Sequence, residues 1–408
     1  MPLPRAHRFL VSVILALYLV QVASAFCPNR DQLSTMSDLT KRKPNRRSQR
    51  IQKIARRSSS LGEESDTNRF HANDKDQKYP STKPLLTFGV IADIQYAPIP
   101  DGYSYTGNPR YYRHALDVAS HAAKHFEQEK VSLVLNLGDI VDGKCQSIAK
   151  HGGEPLPEGV DPGHKSVDDV VQALSRYKHG PIIHVYGNHC LYNVDRPTLQ
   201  SKLGIPFVKE PCGDLVGYWS HVQNGVRFVV LDSYDINKMQ RCNSTSQKHK
   251  EANDILSKNN PNYPENENSP EGLVGVAKRF VAFNGGVGSV QLEWLRNTLQ
   301  RARDNGEKVV VLSHQPIHPQ STSPVCLVWN YKEVLAALRE YKDVVLASFS
   351  GHAHKGGYQR DISGIHFRVL EAALESPDPD KTYAMVDMYD HYMEVRGFGS
   401  CKSAIYDY

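Results

Sequence analysis

The chain has 408 residues, 40% hydrophobic and 23% charged, which fits a soluble globular protein of one large or two ordinary domains. Its net charge of +5 sits at the amino-terminal end: Arg5, Arg8 and ten Lys and Arg against Asp31 and Asp38 over residues 28–57 leave residues 58–408 net acidic. That distribution excludes nucleic-acid binding by the folded part as an inference from the basic balance, and seven scattered cysteines without a Cys-x-x-Cys exclude a thiolate zinc site and require no disulfide framework.

Arg5, His7 and Arg8 precede the apolar run Phe9 to Val22 and the small residues Ala23-Ser24-Ala25. This is the layout of a secretory signal peptide over residues 1–25. The run is shorter than the roughly 20 residues a membrane helix needs, so no stable span is expected in the mature chain. Residues 26–80 are rich in Arg, Lys and Ser and read as a basic disordered presequence or linker. The two segments together resemble the bipartite presequence of proteins sent to complex plastids, and the expected destination is secretion, the endomembranes or such a plastid. Asn243-Ser244-Thr245 is a glycosylation sequon, meaningful only on that route.

From Leu85 the pattern changes. Apolar runs predict buried strands at Leu85–Ala92, Val131–Leu137, Ile182–Tyr186, Val226–Asp232, Lys308–Ser313, Val344–Ser348 and His366–Glu371, with a last one near Tyr383–Tyr389. Helical spacing predicts helices over Tyr111–Lys130, Val167–Arg176, Val290–Arg303 and Lys332–Tyr341. Strand–helix alternation predicts an α/β domain with parallel pairing over residues 81–400. The polar, Asn- and Pro-rich stretch 235–275 reads as an insertion or lid, and 401–408 as a tail.

Five segments spread over this domain place oxygen or nitrogen ligands at or just beyond strand ends: Asp93-Ile94-Gln95, Gly138-Asp139-Ile140-Val141-Asp142-Gly143, Gly187-Asn188-His189, Ser313-His314-Gln315-Pro316 and Gly351-His352-Ala353-His354. Open α/β sheets gather ligands at the carboxyl ends of their strands, so residues distant in sequence converge on one rim. Each alone has an ordinary reading as a turn acid or surface histidine; their joint occurrence predicts a two-metal hydrolase centre. Asp139 is the bridging carboxylate of choice, with Asp93 and Gln95 facing one ion and Asn188 the other, and His314, His352 and His354 supplying imidazoles. This mixed donor set suits two divalent ions of manganese, first choice, or iron or zinc, better than calcium. Such a pair makes hydroxide available from a bridging water for in-line attack on phosphorus, and His189 stabilises or protonates the leaving oxygen. Asp142 reads as a structural turn carboxylate, and His114, His184 and His318 as core or surface histidines.

These blocks resemble the calcineurin-like metallophosphoesterases over about residues 85–400. The resemblance implies an α/β sandwich, two central mixed sheets flanked by helices. It implies Asp93, Gln95, Asp139 and His354 on one metal, and Asp139, Asn188, His314 and His352 on the other. Gln95 replaces the family's usual histidine, which is similar to the manganese-dependent ADP-ribose/CDP-alcohol diphosphatases. Arg110-Tyr111-Tyr112-Arg113-His114, Phe283-Asn284-Gly285-Gly286, Cys326-Leu327-Val328-Trp329-Asn330-Tyr331 and His354-Lys355-Gly356-Gly357-Tyr358 look like further blocks of that subgroup. Cys190 departs from the Glu or Asp common after the histidine, which removes a carboxylate partner for His189.

The resemblance implies hydrolysis of nucleoside diphosphate-X compounds, of the ADP-ribose or CDP-choline kind, to a nucleoside monophosphate and a phosphorylated X. Such a small-molecule substrate needs an aromatic platform and cations. Tyr103, Tyr105, Trp329 and Tyr331 are stacking candidates, Arg110 and Arg113 phosphate candidates, and Asn284, Gly285, Gly286 and Cys326 complete the candidate pocket. A monomer is expected. The alternatives are a phosphomonoesterase or phosphodiesterase on the same site, an inactive binding module of the same fold, and a secreted structural protein without metal.

Overall fold

The structure, a computed structural model, describes residues 83–239 and 246–408. The expected signal peptide, the 26–80 segment, Cys27, Cys242 and the Asn243 sequon lie outside the described residues. The strands in chain order are β1 Leu86–Ile91, β2 Gly102–Tyr103, β3 Pro109–Arg110, β4 Leu133–Asn136, β5 Ile182–His184, β6 Val208–Lys209, β7 Leu215–Val216, β8 Trp219–Gln223, β9 Val226–Val230, β10 Lys308–Ser313, β11 Val345–Ser350, β12 Lys355–Arg360, β13 His366–Glu371, β14 Tyr383–Met388, β15 Tyr392–Phe398 and β16 Ala404–Asp407.

Two six-stranded mixed sheets form a sandwich, in the orders β16-β15-β14-β1-β4-β5 and β12-β13-β11-β10-β9-β8. In each sheet the long apolar strands pair in parallel, β1 with β4 and β4 with β5 in one, β9, β10, β11 and β13 in the other. The antiparallel members β8 and β12 lie at edges, and β14, β15 and β16 complete one flank of the first sheet. Alternation puts Leu86, Phe88 and Val90 of β1 into the core between the sheets, with Leu135, Ile183, Phe228, Val310, Leu312 and Phe349. The ring of Phe88 meets those of Phe228 and Phe349 edge-on, at 5.4 and 6.0 Å.

Helices cover both outer faces. His114–Gln128 and Pro162–Leu174 bury their apolar stripes on the first sheet, and Ser289–Asp304 and Tyr331–Arg339 do so on the second. Gly89 on β1 permits the close approach of the first helix, since a Cβ there would stand 2.7 Å from the Phe126 ring. Tyr358 of β12 stacks on Tyr406 of β16 at 4.8 Å, joining the two sheets along one edge.

Several elements depart from the sequence expectations. The second helix starts at Pro162, because Asp161 caps His164 N–H and Pro162 fits the first turn. Residues 401–408 are not a tail: β16 closes the first sheet by pairing with β15. The 235–275 stretch holds a helix, Gln247–Asn259, packed against Ile236, Ala282 and Trp329. Its Asn residues satisfy backbone carbonyls, Asn260 that of Glu267 and Asn262 those of Ser269 and Glu271. Among the described residues no helix is long and apolar enough to cross a membrane.

Candidate metal centre

The seven expected ligands meet at the carboxyl ends of strands from both sheets. Asp93 and Gln95 follow β1, Asp139 follows β4, Asn188 follows β5 at the start of helix Asn188–Asn193, His314 follows β10, and His352 and His354 follow β11. The extensions of β1 and β4 stay paired past their regular strands, with Asp93 N–H donating to Gly138 and Gln95 N–H to Asp139. That pairing is reached only by bending the backbone. Asp93, Gln95, Asp139 and His352 are four of the six non-glycine residues with positive φ among the described residues. Such conformations cost of order 1–3 kcal/mol each and persist where surroundings fix them. Gly138 sits at φ +96°, and a Cβ there would stand 2.6 Å from His314 Nδ1.

One oxygen lies between two groups of ligands. Asp139 Oδ1 is held by the His189 N–H at 2.8 Å. Asp139 Oδ2 lies 3.2 Å from Gln95 Nε2 and 3.2 Å from His314 Nε2. Gln95 is in turn 3.0 Å from His354 Nε2, which is 3.8 Å from Asp93 Oδ1. On the other side the His314 and His352 rings stand 5.0 Å apart, and ligand atoms of Asp139, His314 and His352 lie within 4.8 Å of one another. Asn188 is buried, and the N–H of the residue after it is the one on Asp139 Oδ1.

Each imidazole is oriented by its far nitrogen. His314 Nδ1 is 2.7 Å from the Leu137 carbonyl, which fixes the proton there and turns Nε2 inward. His354 Nδ1 meets Glu375 Oε1 at 2.9 Å, and His352 Nε2 meets Asn284 Oδ1 at 2.9 Å. Asp93 accepts the His352 N–H.

The electrostatics are those of a crowded, dry site. Burial raises the Asp93 carboxyl despite His314 and His354. At Asp139 burial acts upward but His314 and His189 outweigh it and hold the carboxyl well below its usual range. His314 is pushed up to about 9, the downward pull of burial being overcome by Asp139. Burial and His314 drive His352 well below the ordinary imidazole value. Two carboxylates pushed in opposite directions among imidazoles mark a functional cluster.

The residues fit a pair of divalent cations. Gln95 Oε1 is buried without a hydrogen-bond partner, the state of an atom reserved for an ion, and His314 Nε2 has only the Asp139 carboxylate, 3.2 Å away. Carboxylate, amide and imidazole donors suit manganese, iron or zinc.

His189 stands at the edge of this cluster, and Cys190 beside it is buried, its thiol pushed up to about 12 by burial and Asp139. The carboxylate missing at that position comes from another loop: Asp142 Oδ2 lies 3.5 Å from His189 Nδ1, and Arg110 Nη1 lies 3.6 Å from the same oxygen. Gly143 N–H donates to His189 Nδ1 at 2.7 Å. Asp142 also caps the turn at Lys144, as expected of it.

The rest of the candidate pocket divides. Cys326 sits in the turn Pro324–Cys326, its thiol pushed up to about 12 by burial and Asp93. Tyr105 is fully exposed on the turn between β2 and β3, with Tyr103 on the same hairpin, and Arg113 is exposed at the start of helix His114–Gln128. Trp329 packs in a small core with its indole N–H on the Val281 carbonyl at 3.3 Å, and Tyr331 is buried, so neither offers a stacking face. The Asn284 side chain holds His352 and the Val325 carbonyl rather than facing outward. The amide N–H groups of Gly285 and Gly286 are engaged internally, by Gln315 and Ile236. Tyr234 and Glu375, which hold Asn188 and His354, were not among the candidates. A lone Tyr or Glu in a turn carries no spacing signal.

Comparison with known proteins agrees with this geometry. The chain matches the calcineurin-like phosphoesterase family over residues 86–356. It is 41% identical to a manganese-dependent ADP-ribose/CDP-alcohol diphosphatase of Oryza sativa subsp. japonica, over 76% of this chain and 90% of that protein. It is 35% identical to the protein of that name from Homo sapiens, over 80% and 94%. A crystal structure of a dimetal phosphatase from Danio rerio superposes with a TM-score of 0.72 at 34% identity, covering 80% of this chain and all of that one.

Proposed function

The chain belongs to the calcineurin-like phosphoesterase family, and from that premise we propose that it hydrolyses the phosphoanhydride of nucleoside diphosphate-X compounds, ADP-ribose and CDP-alcohols among them, to a nucleoside monophosphate and a phosphorylated X, with two manganese ions as cofactor. The observation that carries the reading is the convergence of Asp93, Gln95, Asp139, Asn188, His314, His352 and His354 beyond the strand ends, with the buried Gln95 Oε1 left without a hydrogen-bond partner. The relatives' names supply the substrate class.

Asp93, Gln95, Asp139 and His354 would hold one ion, and Asp139, Asn188, His314 and His352 the other. Bound divalent cations supply activation of water near neutral pH and neutralise charge on the phosphoryl oxygens. The chain's own residues do the rest. Asp139 presents a single oxygen to both groups because the His189 N–H occupies the other. His189 carries its proton on Nε2, since Nδ1 accepts the Gly143 N–H. That Nε2–H is the donor for the leaving oxygen. The ring gives this bond as a neutral donor, held in place by the Gly143 N–H on Nδ1 with Asp142 Oδ2 3.5 Å away. Arg110, 3.6 Å from Asp142 and partly exposed, is a cation available to a second phosphate.

The test offers the purified protein, with manganese, ADP-ribose, CDP-choline and an aryl phosphate side by side, and identifies the products. Nucleoside monophosphate from the first two supports the proposal. Turnover of the aryl phosphate alone, with release of inorganic phosphate, would replace it by a phosphomonoesterase on the same centre.

A further inference from the structure

We propose that Tyr234 is a positioning residue for Asn188, holding that amide's oxygen in the orientation a metal ligand requires. The inference rests on the metal-centre reading above and adds to it a residue outside the five strand-end motifs.

Tyr234 follows β9 on the opposite sheet from Asn188. It is fully buried, its hydroxyl donates to Asn188 Oδ1 at 3.1 Å, and its ring lies 6.0 Å from that of His314. An amide oxygen has two lone pairs. With the hydroxyl on one, the other is left for a cation, and rotation of the amide about its last torsion is restrained. A neutral ligand needs this restraint more than a carboxylate does, because only one of its two terminal atoms can coordinate.

The contact is braced from both ends by one buried ion pair. Arg196, eight residues beyond Asn188 and completely buried, pairs through Nη1 with Asp232 Oδ2 at 2.6 Å. Its Nη2 donates to the Tyr234 carbonyl at 2.6 Å. Asp232 Oδ1 accepts the Tyr234 N–H at 3.0 Å, and Asn237 donates to the same carbonyl. Asp232 is itself fixed by Gln291, which accepts its N–H at 2.9 Å. The segment that carries Asn188 and the loop that carries Tyr234 are thus clamped together a short way behind the contact. A ring serving only to fill space needs no such restraint on its backbone. Burying an arginine–carboxylate pair is a poor route to stability alone and a good one to a fixed geometry.

The experiment is a titration of the metal-stripped full-length protein with Mn2+, read by calorimetry and by the electron paramagnetic resonance of free Mn2+. The wild type should take up two ions. Tyr234→Phe keeps the ring and removes the hydroxyl; one ion should bind as in the wild type and the other about 10-fold or more weakly, the range for a lost partner of a ligand. The metal-free variant, short of one buried hydrogen bond, should still unfold in one transition and melt only slightly below the wild type. In an Asn188→Ala background Tyr234→Phe should add no further loss, because the residue it acts through is gone. Failure of the wild type to take up two ions would sink the metal-centre reading itself. Wild-type affinities in Tyr234→Phe, or a loss of equal size with and without Asn188, would overturn the positioning role alone.

Discussion

On β1, Phe88 and Val90 face the core between the sheets, while Asp93 and Gln95 just beyond them enter the metal centre; the two regions follow opposite rules. In the core, extended backbone, apolar side chain and full burial agree. At the rim, non-glycine residues adopt left-handed backbone and two carboxylates are buried within reach of each other. Agreement between local preference and global fold marks the part of a protein that holds it together, and local conflict the part that works. The core therefore carries the rim, and the two should separate under mutation.

The largest expected effect is Asp93→Asn. Loss of a proposed ligand should cost more than the roughly 10- to 100-fold measured for residues that only support ligands, so turnover and Mn2+ uptake should both fall beyond that range. The metal-free protein should nevertheless melt higher at neutral pH. Asn accepts positive φ, and the substitution removes a carboxylate whose pKa is raised by burial. The sign follows from linkage: an acid with a raised folded pKa lowers stability as pH rises from its unfolded value through the folded one. The gain should be present at pH 7 and vanish as the pH approaches the unfolded carboxylate value of 3.8. Thermal melts of both metal-free proteins across that range check it; a lower melting temperature at neutral pH would show that the rim is not strained by its charge.

Phe88→Ala probes the other region. It empties the junction of Phe88, Phe228 and Phe349 and should cost about 3–5 kcal/mol in denaturant unfolding. The folded fraction should bind Mn2+ as the wild type does. A matched pair of glycines sharpens the contrast further. Gly89→Ala and Gly138→Ala both bring a Cβ under 3 Å from a ring, Phe126 in one case and His314 in the other. Each should lose about 1–3 kcal/mol from overpacking, Gly138→Ala with added strain at positive φ. Only Gly138→Ala should weaken Mn2+ binding, because the ring it displaces is a proposed ligand.

The same division governs what could be read in advance. The parallel strands were legible because burial on both faces demands apolar runs, and Lys308–Ser313 and His366–Glu371 have their expected limits. The edge strands β8, β12 and β16, and β15 next to β16, were not, since polar or glycine residues interrupt their runs and pairing supplies the rest. The residues proposed as ligands could be singled out because each sits at a fixed offset from a strand end. Their partners could not. Glu375 and Tyr234 reach His354 and Asn188 only through tertiary packing, and the distance from His189 to Asp142 depends on a turn whose path no local pattern sets.

The smallest expected effect isolates what such a partner does. Glu375 lies in the turn Ala373–Glu375, and the N–H groups of Ala373 and Leu374 bond the carbonyls of Ala92 and Asp93, so the acid that orients His354 is tied to the strand end that supplies Asp93. His314 receives the same service from a backbone carbonyl, which carries no net charge. Glu375 therefore offers orientation, as Leu137 does for His314, and negative charge in addition. Glu375→Gln keeps an acceptor oxygen and removes the charge, while Glu375→Ala removes both. Mn2+ affinity should fall about 10-fold in the alanine variant and by less in the glutamine variant, the low end of the range for such partners. Should the two variants lose affinity equally, charge would account for the whole effect, and the likeness between His354 and His314 would not hold.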